Sequence, residues 1–260
     1  MNDAIERRRM RRAFSRRLGG GDLAAEVAAR LISRLDEIAP NPRWIVDVGG
    51  DGGAVRERFP DARVLAADFA LPRLRARPRV FRTQADAAQL PVRDAAADML
   101  WSNLCLEWTD IKQSFAEAAR ILRPKDGLFI FSVLGRDTMR EARAAFGEKD
   151  GGRFMDMHDI GDMLGGCGFA ETVMETERAT LTYRAPEDAF REAQKAGCGA
   201  ANSRRRGLFG RRRWRKAMDE YARRFADADG RIPATYEIIY AVSWRKTPAP
   251  SEHIVRFAET

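Results

Sequence analysis

Histidine occurs only twice in the 260 residues and cysteine only three times. Cys105, Cys167 and Cys198 are an odd number at wide spacing, which argues against a disulfide framework and a structural zinc site and suits a reducing compartment. No apolar run approaches the ~18 residues of a membrane span. The opening MNDAIERRRMRRAF also lacks the apolar stretch of a secretory signal, so a cytoplasmic protein is the expectation. Lysine is scarce as well: it supplies six of the 46 basic residues and arginine the other 40.

What is present is an uneven charge. The formal sum is +8, against 38 acidic residues. Seven arginines fall between Arg7 and Arg17, and eight basic residues fall between Arg204 and Lys216, with no acid in either segment. Taking these fifteen from 46 leaves 31 basic residues against 38 acidic ones, an acidic body carrying two arginine clusters. An arginine-biased genome would account for the excess but less readily for the clustering. Phe209 and Trp214 among the arginines also admit base stacking, a nucleic-acid reading less favoured than an acidic protein partner.

Periodicity supplies the organisation. Met10, Phe14 and Leu18 recur in a field of arginines and predict a basic amphipathic helix over 7–18, stopped by Gly19-Gly20-Gly21. Asp22 can cap a second helix whose stripe is Leu23, Val27, Leu31 and Leu35, broadened by Ala28 and Ile32. From Trp44 strand-like runs alternate with helices: 44–48, 63–67, 79–83, 97–102 and 127–134, with a helix over 111–122. A helix over 158–167, one long or two short strands over 173–183, helices within 186–229 around the arginine cluster, and a last strand over 235–244 follow. Strand, helix, strand repeated in this way predicts a doubly wound α/β fold with a mostly parallel sheet, whose ligands belong at the carboxyl ends of the strands. Asp47, Gly49, Asp68, Asp86 and Asn103 lie there.

Val46-Asp47-Val48-Gly49-Gly50-Asp51-Gly52-Gly53 follows the first strand. Glycines there let backbone N–H groups approach a ligand, although such loops also merely turn the chain. Asp68 ends the second strand nineteen residues after Gly49, near the ~20 expected of a carboxylate that grips ribose hydroxyls. No Gly-Lys-Ser/Thr follows, which disfavours a Walker loop, and the frame does not fit G-x-G-x-x-G.

The order Asp47-Val-Gly-Gly, Val64-Leu-Ala-Ala-Asp68, Ala85-Asp86-Ala-Ala-Gln-Leu-Pro91, Asp98-Met-Leu-Trp-Ser-Asn103 and Leu122-Arg-Pro-Lys-Asp-Gly127 resembles the class I S-adenosylmethionine-dependent methyltransferases. Arg12-Ala-Phe-Ser-Arg16, Asp68-Phe-Ala-Leu-Pro-Arg-Leu74, Ser102-Asn-Leu-Cys-Leu-Glu-Trp108, His158-Asp-Ile-Gly-Asp-Met-Leu164 and Pro233-Ala-Thr-Tyr-Glu-Ile-Ile-Tyr240 narrow it. With these, nearly the whole chain is similar to the malonyl-acyl-carrier-protein O-methyltransferases of biotin synthesis. Part of the set is shared with the arginine hydroxylases of complex I assembly.

The resemblance implies a Rossmann-like core over 41–183 and 233–246, a helical lid from segment 1–40 and the arginine-rich insertion 184–232, and a tail over 247–260. It implies S-adenosylmethionine as cofactor and no metal. Asp47, Gly49 and Gly50 would shape the pocket for its methionine portion, Asp68 would accept both ribose hydroxyls, and Asp86 the adenine amino group. Asn103 would line the floor near the transferred methyl. The substrate would be malonyl on an acidic acyl carrier protein, docked by Arg204, Arg205, Arg206, Arg211, Arg212 and Arg213. His158 belongs to a helix-start motif and is expected to cap or pack its helix.

Three features depart from the family pattern. Asp51 stands where the loop's central glycine is usual, and its charge would repel the methionine carboxylate or pair with the cofactor's ammonium. The helix after it is about one turn short, and Leu18-Gly-Gly-Gly-Asp22 replaces an aromatic-acid pair. The alternatives are therefore a non-methylating protein that binds an acidic partner, and a protein-arginine hydroxylase.

Overall fold

Leu23, Val27, Leu31 and Leu35 recur at the spacing of one helical face, and they line the buried side of α1 (Asp22–Ile38), none more than 6% exposed. The computed structural model describes residues 22–74, 78–147, 154–196 and 211–247. The basic segment 7–18 and Arg204, Arg205 and Arg206 lie outside the described residues.

After α1 the chain alternates as β1 (Trp44–Val48), α2 (Gly53–Arg58), β2 (Arg63–Asp68), β3 (Val80–Gln84), β4 (Met99–Asn103), α3 (Ile111–Ile121) and β5 (Leu128–Leu134). There follow α4 (Arg140–Ala145), α5 (Met157–Gly166), β6 (Phe169–Tyr183), α6 (Pro186–Ala196), α7 (Arg211–Phe225) and β7 (Ile232–Arg245). One seven-stranded sheet runs in the order β3-β2-β1-β4-β5-β7-β6. The first five strands are parallel, and β7 enters antiparallel between β5 and β6. This is the doubly wound α/β architecture read from the sequence.

Side chains alternate across the pleat and feed two cores. Ile45, Met99, Trp101, Ile130 and Tyr240 pack on the α1 face. Val46, Leu100, Phe129, Phe131 and Ile239 pack with Phe115 of α3 on the other. Burial on both sides explains why β5 reads as an unbroken apolar run.

The expected strands and helices fall within a few residues of those observed. The stretch 173–183 is part of one long strand, β6, whose register shifts between Ala170 and Val173, where Glu171 takes a φ of 51°. One expectation is corrected. Arg211–Lys216 do not lie between helices; they are the first two turns of α7, because Trp214, Ala217, Met218 and Tyr221 give that segment a helical apolar face. Trp214 packs edge-on against Phe190 and at a tilt against Phe146, at 5.0 and 5.6 Å between ring centroids, and Tyr221 donates to the Pro233 carbonyl at 2.6 Å. Among the described residues no helix is long and apolar enough to cross a membrane.

Because Leu31 is fully buried between α1 and the sheet, Leu31→Ala is expected to cost about 3 kcal/mol through lost transfer energy and a cavity. Urea unfolding measures it.

Candidate cofactor site

Parallel pairing sets the ends of β1, β2 and β4 side by side: Val48 pairs with Ala67 on one flank and Ser102 on the other. Asp47, Asp68 and Asn103 are therefore brought to one edge of the sheet, and the glycine loop leaves β1 at the same place. Gly49 (φ 82°) and Gly52 (φ 77°) hold left-handed conformations that most residues resist. Space is also exhausted there. A Cβ on Gly49 would meet Cys105 Sγ at 2.2 Å, and one on Gly50 would meet Asp47 Oδ2 at 2.3 Å.

Asp47 is folded beneath this loop, 4% exposed. Its Oδ2 accepts from the Gly52 N–H at 2.7 Å, and its Oδ1 has no hydrogen-bond partner. Burial pushes the carboxyl up to about 7; the Gly52 N–H opposes the shift, and Asp51 and Asp68 reinforce it.

Asp51 accepts from the Gly53 N–H at 3.0 Å through Oδ1 and closes a tight turn into α2. The sequence reading missed this local role, although Asp two residues before a helix start was its signal. Asp68, the last residue of β2, is 1% exposed. Its Oδ1 accepts from the Ala70 N–H at 2.7 Å, and its Oδ2 pairs with Arg73 Nε at 2.9 Å. Asp86 follows β3 and accepts from the Ala88 N–H at 3.0 Å.

Asn103 ends β4 as expected, but its amide is already engaged. Ser132 Oγ donates to its Oδ1 at 2.7 Å, and its Nδ2 donates to the Ala24 carbonyl at 2.9 Å, tying α1 to the strand end. Beside β4 and β5 a cavity of about 90 Å³ opens, lined by Leu106, Glu107, Thr109, Val133, Leu134 and Met155. Sequence reasoning did not find it, since its walls come from four separate elements. Arg73 was also missed, having been read only as a motif letter.

Other carboxylates are structural. Asp98 lies at the opposite end of β4, accepts from the Arg43 and Trp44 N–H groups and pairs with Arg123. His158 is exposed in the first turn of α5, and the helix is capped by Asp156. Among the described residues no group of three or more His, Cys, Asp or Glu could hold a metal ion.

The sheet order and the loop–acid–acid progression along its carboxyl edge define a class I methyltransferase. Residues 46–131 match the methyltransferase domain family. Similar folds include the YcgJ protein of Bacillus subtilis, with a TM-score of 0.57 at 14% identity over 85% of this chain and 100% of that one. Another is phosphoethanolamine N-methyltransferase 2 of Haemonchus contortus, with a TM-score of 0.51 at 15% identity over 84% of this chain and 52% of that one.

Closer kin narrow the class. A malonyl-[acyl-carrier protein] O-methyltransferase of Nitrosospira multiformis is 39% identical, covering 95% of this chain and 92% of the relative. Its namesake from Gallionella capsiferriformans is 36% identical, covering 95% and 94%. The chain belongs to the malonyl-[acyl-carrier protein] O-methyltransferase family.

The residues present suit the cofactor of that class. S-Adenosylmethionine carries a sulfonium and an ammonium against one carboxylate, and Asp47, Asp51 and Asp68 make the edge acidic. The glycines let the loop backbone lie directly over Asp47, which keeps one oxygen without a partner.

The raised Asp47 carboxyl has a consequence for stability. Unfolded, it ionises near ~3.9; folded, it holds its proton until about 7. Its contribution is present below the unfolded value and is lost as pH rises to about 7, a span on the order of a few kcal/mol. Asp47→Asn is expected to remove this slope, so that the variant gains on the native protein between pH 4 and 8. Unfolding free energies across that range measure the difference.

Proposed function

We propose that this chain transfers a methyl group from S-adenosylmethionine to the free carboxylate of a malonyl thioester carried by an acyl carrier protein. The carrying observation is kinship over 95% of the chain with proteins named for that reaction. It favours methyl transfer over a partner-binding protein without activity and over arginine hydroxylation.

The chemistry asks little of side-chain acids and bases. A carboxylate with a reference pKa of ~4 is already ionised near neutrality, so scarce histidine is no obstacle. When bound, the cofactor supplies an electrophilic methyl on sulfur. The protein's own task is to hold the reacting groups in line and to exclude water. Asp68 would take the ribose hydroxyls and Asp86 the adenine amino group. Asp47, with Gly49 and Gly50, would hold the methionine portion, and Asn103 would form the floor. The small cavity beside Glu107 is adjacent room for the acyl end of the substrate.

The carrier is acidic, and α7 offers it a complementary surface. Arg212, Arg213, Arg215 and Lys216 are exposed, and Arg211 begins the helix. Five cations crowd the positive end of the helix dipole, an arrangement that opposes the macrodipole and that an anionic partner relieves. Arg204, Arg205 and Arg206 precede them in the chain and would extend the surface. Nucleic acid fits less well, since Trp214 is spent on Phe190 and Phe146. The reducing setting suited to three widely spaced cysteines agrees with a cytoplasmic reaction.

Titration calorimetry with S-adenosylmethionine, followed by mass spectrometry of malonyl carrier protein, tests the reading: one methyl should be gained, and no cofactor binding would refute it. Asp68→Ala should weaken cofactor binding by roughly 10- to 100-fold. Arg211→Glu, Arg212→Glu and Arg213→Glu together should abolish carrier binding at moderate ionic strength. Unchanged affinity would leave the docking surface elsewhere.

A further inference from the structure

Asp68 is the most deeply buried acid at the carboxyl edge, its side chain fully covered, yet the group covering it is another side chain. Arg73 comes from the 3₁₀ turn Leu71–Arg73, five residues downstream. Its Nε reaches Asp68 Oδ2 at 2.9 Å, and its Nη2 donates to the Gly49 carbonyl at 3.1 Å. One guanidinium thus spans β2's terminal carboxylate and the first glycine of the loop. The proposed reading assigns these same two points to the cofactor.

An ionised carboxylate offers about four lone-pair sites, and in Asp68 the Ala70 N–H engages Oδ1 while Arg73 engages Oδ2. Arg73 lies against Oδ2 in a pocket with no exposed carboxylate surface, so a ribose that claims both oxygens must displace it. We infer that Arg73 is an intramolecular competitor for Asp68, occupying the ribose-binding carboxylate when the cofactor is away and giving way when it arrives. The inference rests on the proposed cofactor reading and concerns what binding must first undo.

Three physical points support it. A buried carboxylate without a partner is costly, and Arg73 removes that cost in the empty site. The guanidinium also places a positive charge near Asp47, whose carboxyl it draws downward against the effect of burial. Its side chain is 15% exposed, so it already stands at the rim and has a route outward. Exchange also frees the Gly49 carbonyl, which links loop adjustment to cofactor entry. On the way out, the returning arginine would displace the spent nucleoside from Asp68.

The decisive measurement is calorimetric binding of S-adenosylhomocysteine, which needs no turnover. Removing the competitor should tighten binding, so Arg73→Ala is expected to lower Kd by about tenfold, the worth of a charge-assisted pair. Arg73→Lys, which keeps the charge without the fork to Gly49, should fall between. A 2′,3′-dideoxy analogue cannot claim Asp68 and should bind both forms alike. Circular dichroism and thermal melts of both variants control for folding. Weaker or unchanged binding of S-adenosylhomocysteine by Arg73→Ala would overturn the inference while leaving the cofactor reading intact. Equal tightening for the dideoxy analogue would also overturn it. If neither native protein nor variant bound the nucleoside, the cofactor reading itself would fall, and the inference with it.

Discussion

Parallel pairing is the constraint on which this molecule depends. Strands that run the same way must finish on the same edge, so each connection to the next strand begins there too. Asp47, Asp68, Asp86 and Asn103 are far apart in sequence and share no local motif, yet each stands at or just after a strand's end. The site is thus a product of direction. Its chemistry follows from burial: lost hydration pushes the Asp47 carboxyl up to about 7, with neighbouring acids adding to the shift, and a guanidinium pairs with Asp68.

Much of the scaffold was legible in the sequence because it is written in short-range periodicity. The Leu23, Val27, Leu31, Leu35 stripe and the apolar run 128–134 state their partners' geometry directly, since each needs only an apolar surface to face. The candidate site was legible as a set of strand ends and glycines. What the sequence did not disclose was how those side chains are satisfied. Asn103 bonding to Ser132 and to the Ala24 carbonyl, and Arg73 reaching Asp68, depend on distances across elements that no spacing encodes. Asp51 is a further case: as a departure from the family's glycine it was legible, but its bond to the Gly53 N–H, which turns the chain into α2, was not.

The charge asymmetry of the sequence also resolves spatially. The described part of the second arginine cluster is displayed on the opening turns of α7, and the apolar side of that helix is anchored through Trp214, Tyr221 and Met218. The acidic strand ends and the cationic helix therefore stand on different elements, and the proposed reading assigns them different ligands.

The antiparallel entry of β7 divides the labour of the chain. Tyr221 and Glu141 both fasten onto the first residues of β7, through the Pro233 carbonyl and Thr235, and neither touches the glycine loop. The helices that carry the cationic face are thus bolted to one half of the sheet, and the nucleoside edge is built by the other. The two halves nonetheless share a core, since Tyr221, Tyr236 and Tyr240 pack in the same cluster as Leu31, Ile45 and Met99. A substitution that reshapes the cationic helix would be felt, through that common core, at the strands that end beside the glycine loop.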